Sequence, residues 1–80
     1  MFRTLLKTDS LAVDDRILPV RYFELRTLRG AKRYSAEILL APGDRIILDD
    51  DSVTNLEAKT RCLVPATLYS RILAGRANAA

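Results

Sequence analysis

Two runs rich in aromatic and aliphatic residues, VRYFELRTL at 20–28 and RYSAEILLA at 33–41, stand on either side of Arg29-Gly30-Ala31-Lys32. Runs of that kind around a glycine-bearing turn read as a β-hairpin, and no other feature narrows the fold as much. Gly30 at the first central position suits a type II′ turn with Gly30-Ala31 as a two-residue loop. That register sets Phe23 opposite Ile38, Leu25 opposite Ala36 and Thr27 opposite Tyr34, which gives one continuous apolar face.

Ala41-Pro42-Gly43-Asp44 supplies a second turn, because proline presets φ and glycine tolerates positive φ. RIIL at 45–48 follows as a short strand. A three-residue loop at 42–44 pairs Leu40 with Ile46 and Ile38 with Leu48 on the same apolar face, whereas a two-residue loop would bury Arg45. The expectation is a three-stranded antiparallel meander whose apolar face needs a cover. FRTLLK at 2–7 reads as a fourth, edge strand and 9–15 as a loop.

The cover is expected from the C-terminal third. Ser52, after Asp49-Asp50-Asp51, suits a helix N-terminus, where free backbone donors and the macrodipole favour a capping oxygen and negative charge. Val53, Leu56, Thr60, Leu63 and Val64 lie on one helical stripe, although Leu56, Ala58, Thr60, Cys62 and Val64 also alternate as a strand would. Helix is the favoured reading, with Pro65 ending it. Leu68, Tyr69, Ile72 and Leu73, with Gly75 as C-cap, describe a second, short helix over 66–74. The chain therefore reads as a small α+β fold: an antiparallel meander of three strands, with a fourth from the N-terminus, packed against one or two C-terminal helices. One domain is expected over 1–76, with 77–80 a frayed tail.

Composition excludes more chemistry than it suggests. The 80 residues are 49% hydrophobic, too apolar for a disordered chain, and include no histidine and one cysteine. The usual zinc sites, a Ser-His-Asp triad and a Cys-His pair all lack their parts. Cys62 reads as a buried structural thiol. No nucleophile is paired with a base, so the expectation is no enzyme, no catalytic residue and no cofactor. Asp44, Asp49, Asp50 and Asp51 lack the spacing of a calcium loop; capping and a solvated turn account for them, and no metal is expected. No apolar run reaches signal-peptide or membrane-span length. A cytoplasmic protein without membrane contact is the expectation.

Charge falls in blocks within a net +3. Six cations and one anion occupy 16–33, and five anions with only Arg45 occupy 44–57. Arg26, Arg29, Lys32 and Arg33, with Tyr34 beside them, form the pattern of a hairpin that neutralises phosphates or nucleic acid. In the expected register Tyr22, Glu24, Arg26, Arg33, Ser35, Glu37 and Arg45 point outward and Tyr34 inward, and the mixed signs also fit an ordinary solvated face. Arg29-x-x-x-Arg33 followed by Asp50-x-Ser52-x-x-Asn55 resembles, in fragments, the paired motifs of the PilZ family. Those β-barrel domains bind cyclic dinucleotides through two such arginines and a D/N-x-S-x-x-G turn. The resemblance implies a cyclic-dinucleotide phosphate clamp at Arg29 and Arg33; Asn55 stands where the family has glycine, and too few residues follow to complete a barrel, so membership is not claimed.

Association is the remaining reading, and the favoured one. Tyr22, Leu28, Leu39 and Ile47 fall on the expected outer sheet face, and an apolar strip among charges marks an interface, unless residues 1–18 fold back over it. The sequence thus points to a non-enzymatic cytosolic interaction module that forms a homodimer or docks on a protein partner. Tyr22, Leu39 and Ile47 would be its anchors, with Arg26 and Arg33 at the rim. The alternative is nucleic-acid or nucleotide-phosphate binding through Arg26, Arg29, Lys32 and Arg33.

Overall fold

Both turns form, and the N-terminus adds a full strand to the meander they define. The computed structural model describes residues 2–78. Strands β1 (Phe2–Val13), β2 (Arg16–Arg26), β3 (Lys32–Ala41) and β4 (Asp44–Asp50) make one antiparallel sheet in the order β1-β2-β3-β4, and helix α1 (Val53–Asn78) packs on one face. The α+β architecture is as expected, with four strands and one helix.

β1 is longer than the expected edge strand and absorbs most of the expected loop. It closes on β2 through Asp14-Asp15, with Val13 opposite Arg16 and Asp14 at φ 54°, a left-handed conformation aspartate tolerates. A bulge between Leu5 and Lys7 shifts the phase. Leu5 therefore lies beside Phe23 on the helix-free face, while Leu11 and Val13 enter the core under α1.

The β2–β3 register differs from the expected one by three residues. Val20 faces Ile38, Tyr22 faces Ala36 and Glu24 faces Tyr34. The loop is wider than Gly30-Ala31: the Thr27 amide donates to the Ala31 carbonyl, the Gly30 amide donates to the Thr27 carbonyl, and the Ala31 amide donates to Thr27 Oγ1. Gly30 still supplies the left-handed residue, at φ 81°. Because side chains alternate, an odd displacement turns every β2 residue to the opposite face. Leu18, Val20 and Tyr22 point to the helix, and Phe23 and Leu25 do not. β2 carries apolar residues on both faces, so pattern alone admits either choice, and packing under α1 selects one.

The β3–β4 turn is the shorter Pro42-Gly43, with Ala41 opposite Asp44, yet Arg45 is not buried. An extra residue in β3 between Leu39 and Ala41 restores the phase, so Ile38 meets Ile46, Ala36 meets Leu48, and Arg45 lies opposite Leu39 on the helix-free face.

α1 is one helix where two were considered, and neither Pro65 nor Gly75 ends it. Ser52 caps it, accepting the Asn55 amide on Oγ at 3.3 Å; Asp50 accepts the Ser52 amide, and Lys59 reaches back to Asp50 at 3.0 Å. Leu56, Thr60, Val64 and Leu68 are all buried. Their spacing of four forms one ridge, inclined to the helix axis, that seats in the sheet. Thr60 donates its hydroxyl to the Leu56 carbonyl, so its burial leaves no polar group unmet. Buried Val64 and Leu68 flank Pro65 and hold both halves of the helix on the sheet, so packing overrides the lost backbone donor. Gly75 is not at positive φ and makes no C-cap. The helix continues through 77–78, where a frayed tail was expected; 79–80 lie outside the described residues. Among the described residues, no helix is long and apolar enough to cross a membrane.

Candidate functional site

Residues 2–18 form β1 and the start of β2 within the sheet rather than folding over it, so the face away from α1 is open. Its side chains form rows across the strands. Thr8, Arg21, Glu37 and Ile47 make one row; Leu5, Phe23, Ser35 and Asp49 the next; Arg3, Leu25 and Arg33 the third. Pro19, Leu39 and Arg45 occupy the neighbouring positions on the other side, with Leu39 directly opposite Arg45.

Glu37 is the centre of this face. Its side chain is only 8% exposed, on a surface with no covering element, because arginines roof it. Arg21, directly across the ladder, donates to Oε1; Arg3 donates to Oε2 at 3.1 Å; Arg45 lies 3.6 Å from Oε1. Arg3 reaches Glu37 across Phe23, with its guanidinium 3.6 Å from the ring centroid, and Arg21 lies 5.6 Å from the same ring. Phe23 is therefore buried beneath long cationic side chains, the amphipathic use of an arginine stem. The Arg21 hydrogen bond is the main influence that holds the Glu37 carboxyl below its ordinary value, against the opposing effect of burial.

This fixes a pH dependence. A carboxylate with a depressed folded-state pKa stabilises the fold above its unfolded value, and that contribution is lost as pH falls through the lower folded value. Asp50, held down to about 2 mainly by Lys59, acts in the same direction. Stability is expected to be level above pH 5 and to fall on acidification below the ordinary Glu37 value of 4.5. In Glu37→Gln the fall begins lower, because only the aspartate contribution remains to be lost; urea midpoints from pH 7 to pH 2.5 measure this.

Beside the arginines the face is apolar and unprotected. Ile17 is 73% exposed, Ile47 60% and Leu39 41%. A hollow of about 260 Å³ lies where the two parts meet, lined by Pro19, Arg21, Glu37, Leu39 and Arg45. A second, of about 190 Å³, lies between β1 and α1 beside Asp9, Tyr22, Glu57 and Thr60. The Lys7–Glu57 ion pair joins that strand to the helix.

Of the expected anchors, Leu39 and Ile47 lie on the open face, but Tyr22 does not. The register turns Tyr22 under the helix, where it is 4% exposed. Leu28 leaves the strip as well, standing in the turn. Glu24 and Arg26 also lie on the helix side. Arg26 and Lys32 both pair with Glu24, and Arg33 pairs with Asp49 at 3.1 Å, so three of the four hairpin cations are met by carboxylates of the chain itself. Arg29 makes no ion pair among the described residues. Asp44 pairs with Arg71. The Asp50-x-Ser52 motif serves as the cap of α1, and the open four-stranded sheet is not the barrel its resemblance implied. Cys62 is exposed on α1 rather than buried. Sequence reasoning placed Glu37 and Arg45 on the outer face without seeing that they form a cluster, and missed Arg3 and Ile17. The cross-strand pair Arg21 and Glu37 is visible only once the register is right.

Comparison with protein-family models, with curated proteins and with solved structures finds no match to this chain.

Proposed function

We propose that this chain is a non-enzymatic cytosolic interaction module that binds protein through the open face of its sheet. The observation that carries this is the adjacency of exposed Ile17, Leu39 and Ile47 to an arginine cluster already fixed in place by Glu37. Apolar anchors beside ordered arginines are the composition of an interface centre, and a side chain held before binding loses less freedom on binding. Leu39 and Ile47 are the anchors, with Ile17 in the place first given to Tyr22. Nucleic-acid binding is less favoured, because the hairpin cations are largely paired and Arg3 covers the ring on which a base would stack.

Leu39→Asp or Ile47→Asp is expected to weaken the complex at least about 30-fold, the effect of losing an interface hot spot, while leaving the far-UV spectrum unchanged. Sedimentation velocity over a concentration series reads self-association, titration with an acidic, apolar peptide reads docking on a partner, and a mixed oligonucleotide added to the chain reads nucleic-acid binding. Salt-sensitive oligonucleotide binding that survives Ile47→Asp and disappears in Arg29→Gln/Lys32→Gln would reverse the assignment.

A further inference from the structure

The hollow between Arg21 and Arg45 points to a more specific partner. We infer that it is a carboxylate-binding site, and that the open face takes an acidic, apolar segment of another protein rather than a second copy of this chain. This rests on the interaction reading above and adds the chemistry of the partner.

The cluster is unbalanced in both charge and hydrogen bonding. Arg3, Arg21 and Arg45 surround a single carboxylate, Glu37, while the other charged pair on this face, Arg33 and Asp49, is balanced. A guanidinium carries five N–H donors and a carboxylate accepts at about four positions, so three guanidiniums leave most of their donors free. Arg45 is the least engaged. At 3.6 Å from Glu37 it is held by charge but lies beyond hydrogen-bond distance. Its side chain is 61% exposed, and it lines the hollow together with Arg21 and Glu37, with Pro19 and Leu39 as apolar walls. An incoming carboxylate would meet two guanidiniums that outweigh the single Glu37 carboxylate, and would form charge-assisted hydrogen bonds with their free donors.

The same imbalance decides between occupants. Face-to-face pairing of two copies would set one excess of positive charge against another, and like charges across an interface oppose association. A partner segment that alternates acidic and apolar side chains meets both halves of the face. Its carboxylates reach Arg21 and Arg45, and its aliphatic side chains lie on Leu39, Ile47 and Ile17. Free phosphate would satisfy the charge without using the apolar half.

The test uses the full chain and a soluble eight-residue peptide alternating glutamate with leucine and isoleucine. A matched peptide with glutamine in place of glutamate and inorganic phosphate serve as comparisons. NMR of the arginine Nε–Hε groups and of the β2–β4 amides follows the titration at low and moderate salt. The acidic peptide is expected to shift Arg21 and Arg45 saturably, at least tenfold more tightly than the glutamine peptide, and to weaken as salt rises. Arg45→Gln is expected to weaken it at least tenfold, and Arg29→Gln to leave it unchanged. Equal binding of the two peptides, or phosphate binding as tight as the acidic peptide, overturns the inference. A concentration-dependent dimer abolished by Ile47→Asp, with no peptide response, overturns it and leaves the interaction reading standing. A monomer that responds to no probe overturns both.

Discussion

Tyr22→Ala is expected to remove about 3–5 kcal/mol of folding stability, the cost of truncating a buried aromatic residue. Ile47→Ala, on the other face of the same sheet, is expected to cost less than about 1 kcal/mol. Tyr22 is 4% exposed, lies across the ladder from Ala36 on one side and Lys7 on the other, and forms part of the core beneath α1. The Lys7 ammonium lies 5.0 Å from its ring centroid. For a domain this small the whole margin of stability is about 4–12 kcal/mol, so losing Tyr22 leaves a marginal fold. Urea unfolding of the two variants, compared at constant slope, separates them. Tyr22→Phe keeps the ring and should stay within about 1 kcal/mol of the parent. Equal sensitivity at positions 22 and 47 would mean that the sheet has no open face, and the proposed docking surface would fall with it.

Pro65→Ala is expected to act in the opposite direction and stabilise the domain by about 2 kcal/mol. Proline in a helix interior costs about 3 kcal/mol relative to alanine. The greater freedom of alanine in the unfolded chain returns up to about 1 kcal/mol. In a domain of this length that corresponds to a rise in Tm of roughly 8–16 °C, readable by calorimetry. Pro65 is half-buried and remote from the arginine cluster, so the acidic peptide should bind the variant unchanged. A fall in Tm would show that α1 needs the bend a proline imposes to follow the twisted sheet.

The elements were legible where local chemistry is decisive. Glycine and proline marked the turns at Gly30 and Pro42-Gly43, and Ser52 marked the start of α1. What was not legible is the phase of side chains along strands with apolar residues on both faces. Leu18, Val20 and Tyr22 compete with Phe23 and Leu25 for the core in β2; packing under α1 selects the first set, and the loop from Thr27 to Ala31 accommodates that phase through backbone hydrogen bonds that a two-residue turn does not make. The same slip moved Tyr22 from anchor to core and concealed the pairing of Arg21 with Glu37. Bulges near Leu6 and Leu40 each shift the phase by one residue and carry no composition signal of their own. Pro65 misled for a different reason: its helix-breaking tendency is local, and the tertiary packing of Val64 and Leu68 overrides it.

Through most of β2, β3 and β4, residues that answer to the helix alternate one by one with residues that answer to solvent. On the interaction reading proposed above, the chain therefore writes two messages in the same stretch of sequence, one for holding together and one for recognising others. On that reading, substitutions at 17, 39, 45 and 47 would change what the domain recognises while 18, 38, 46 and 48 keep it folded. A chain with this fold would then exchange partners by substitution at alternate positions, with Glu37 and its arginines as the point where the two messages meet.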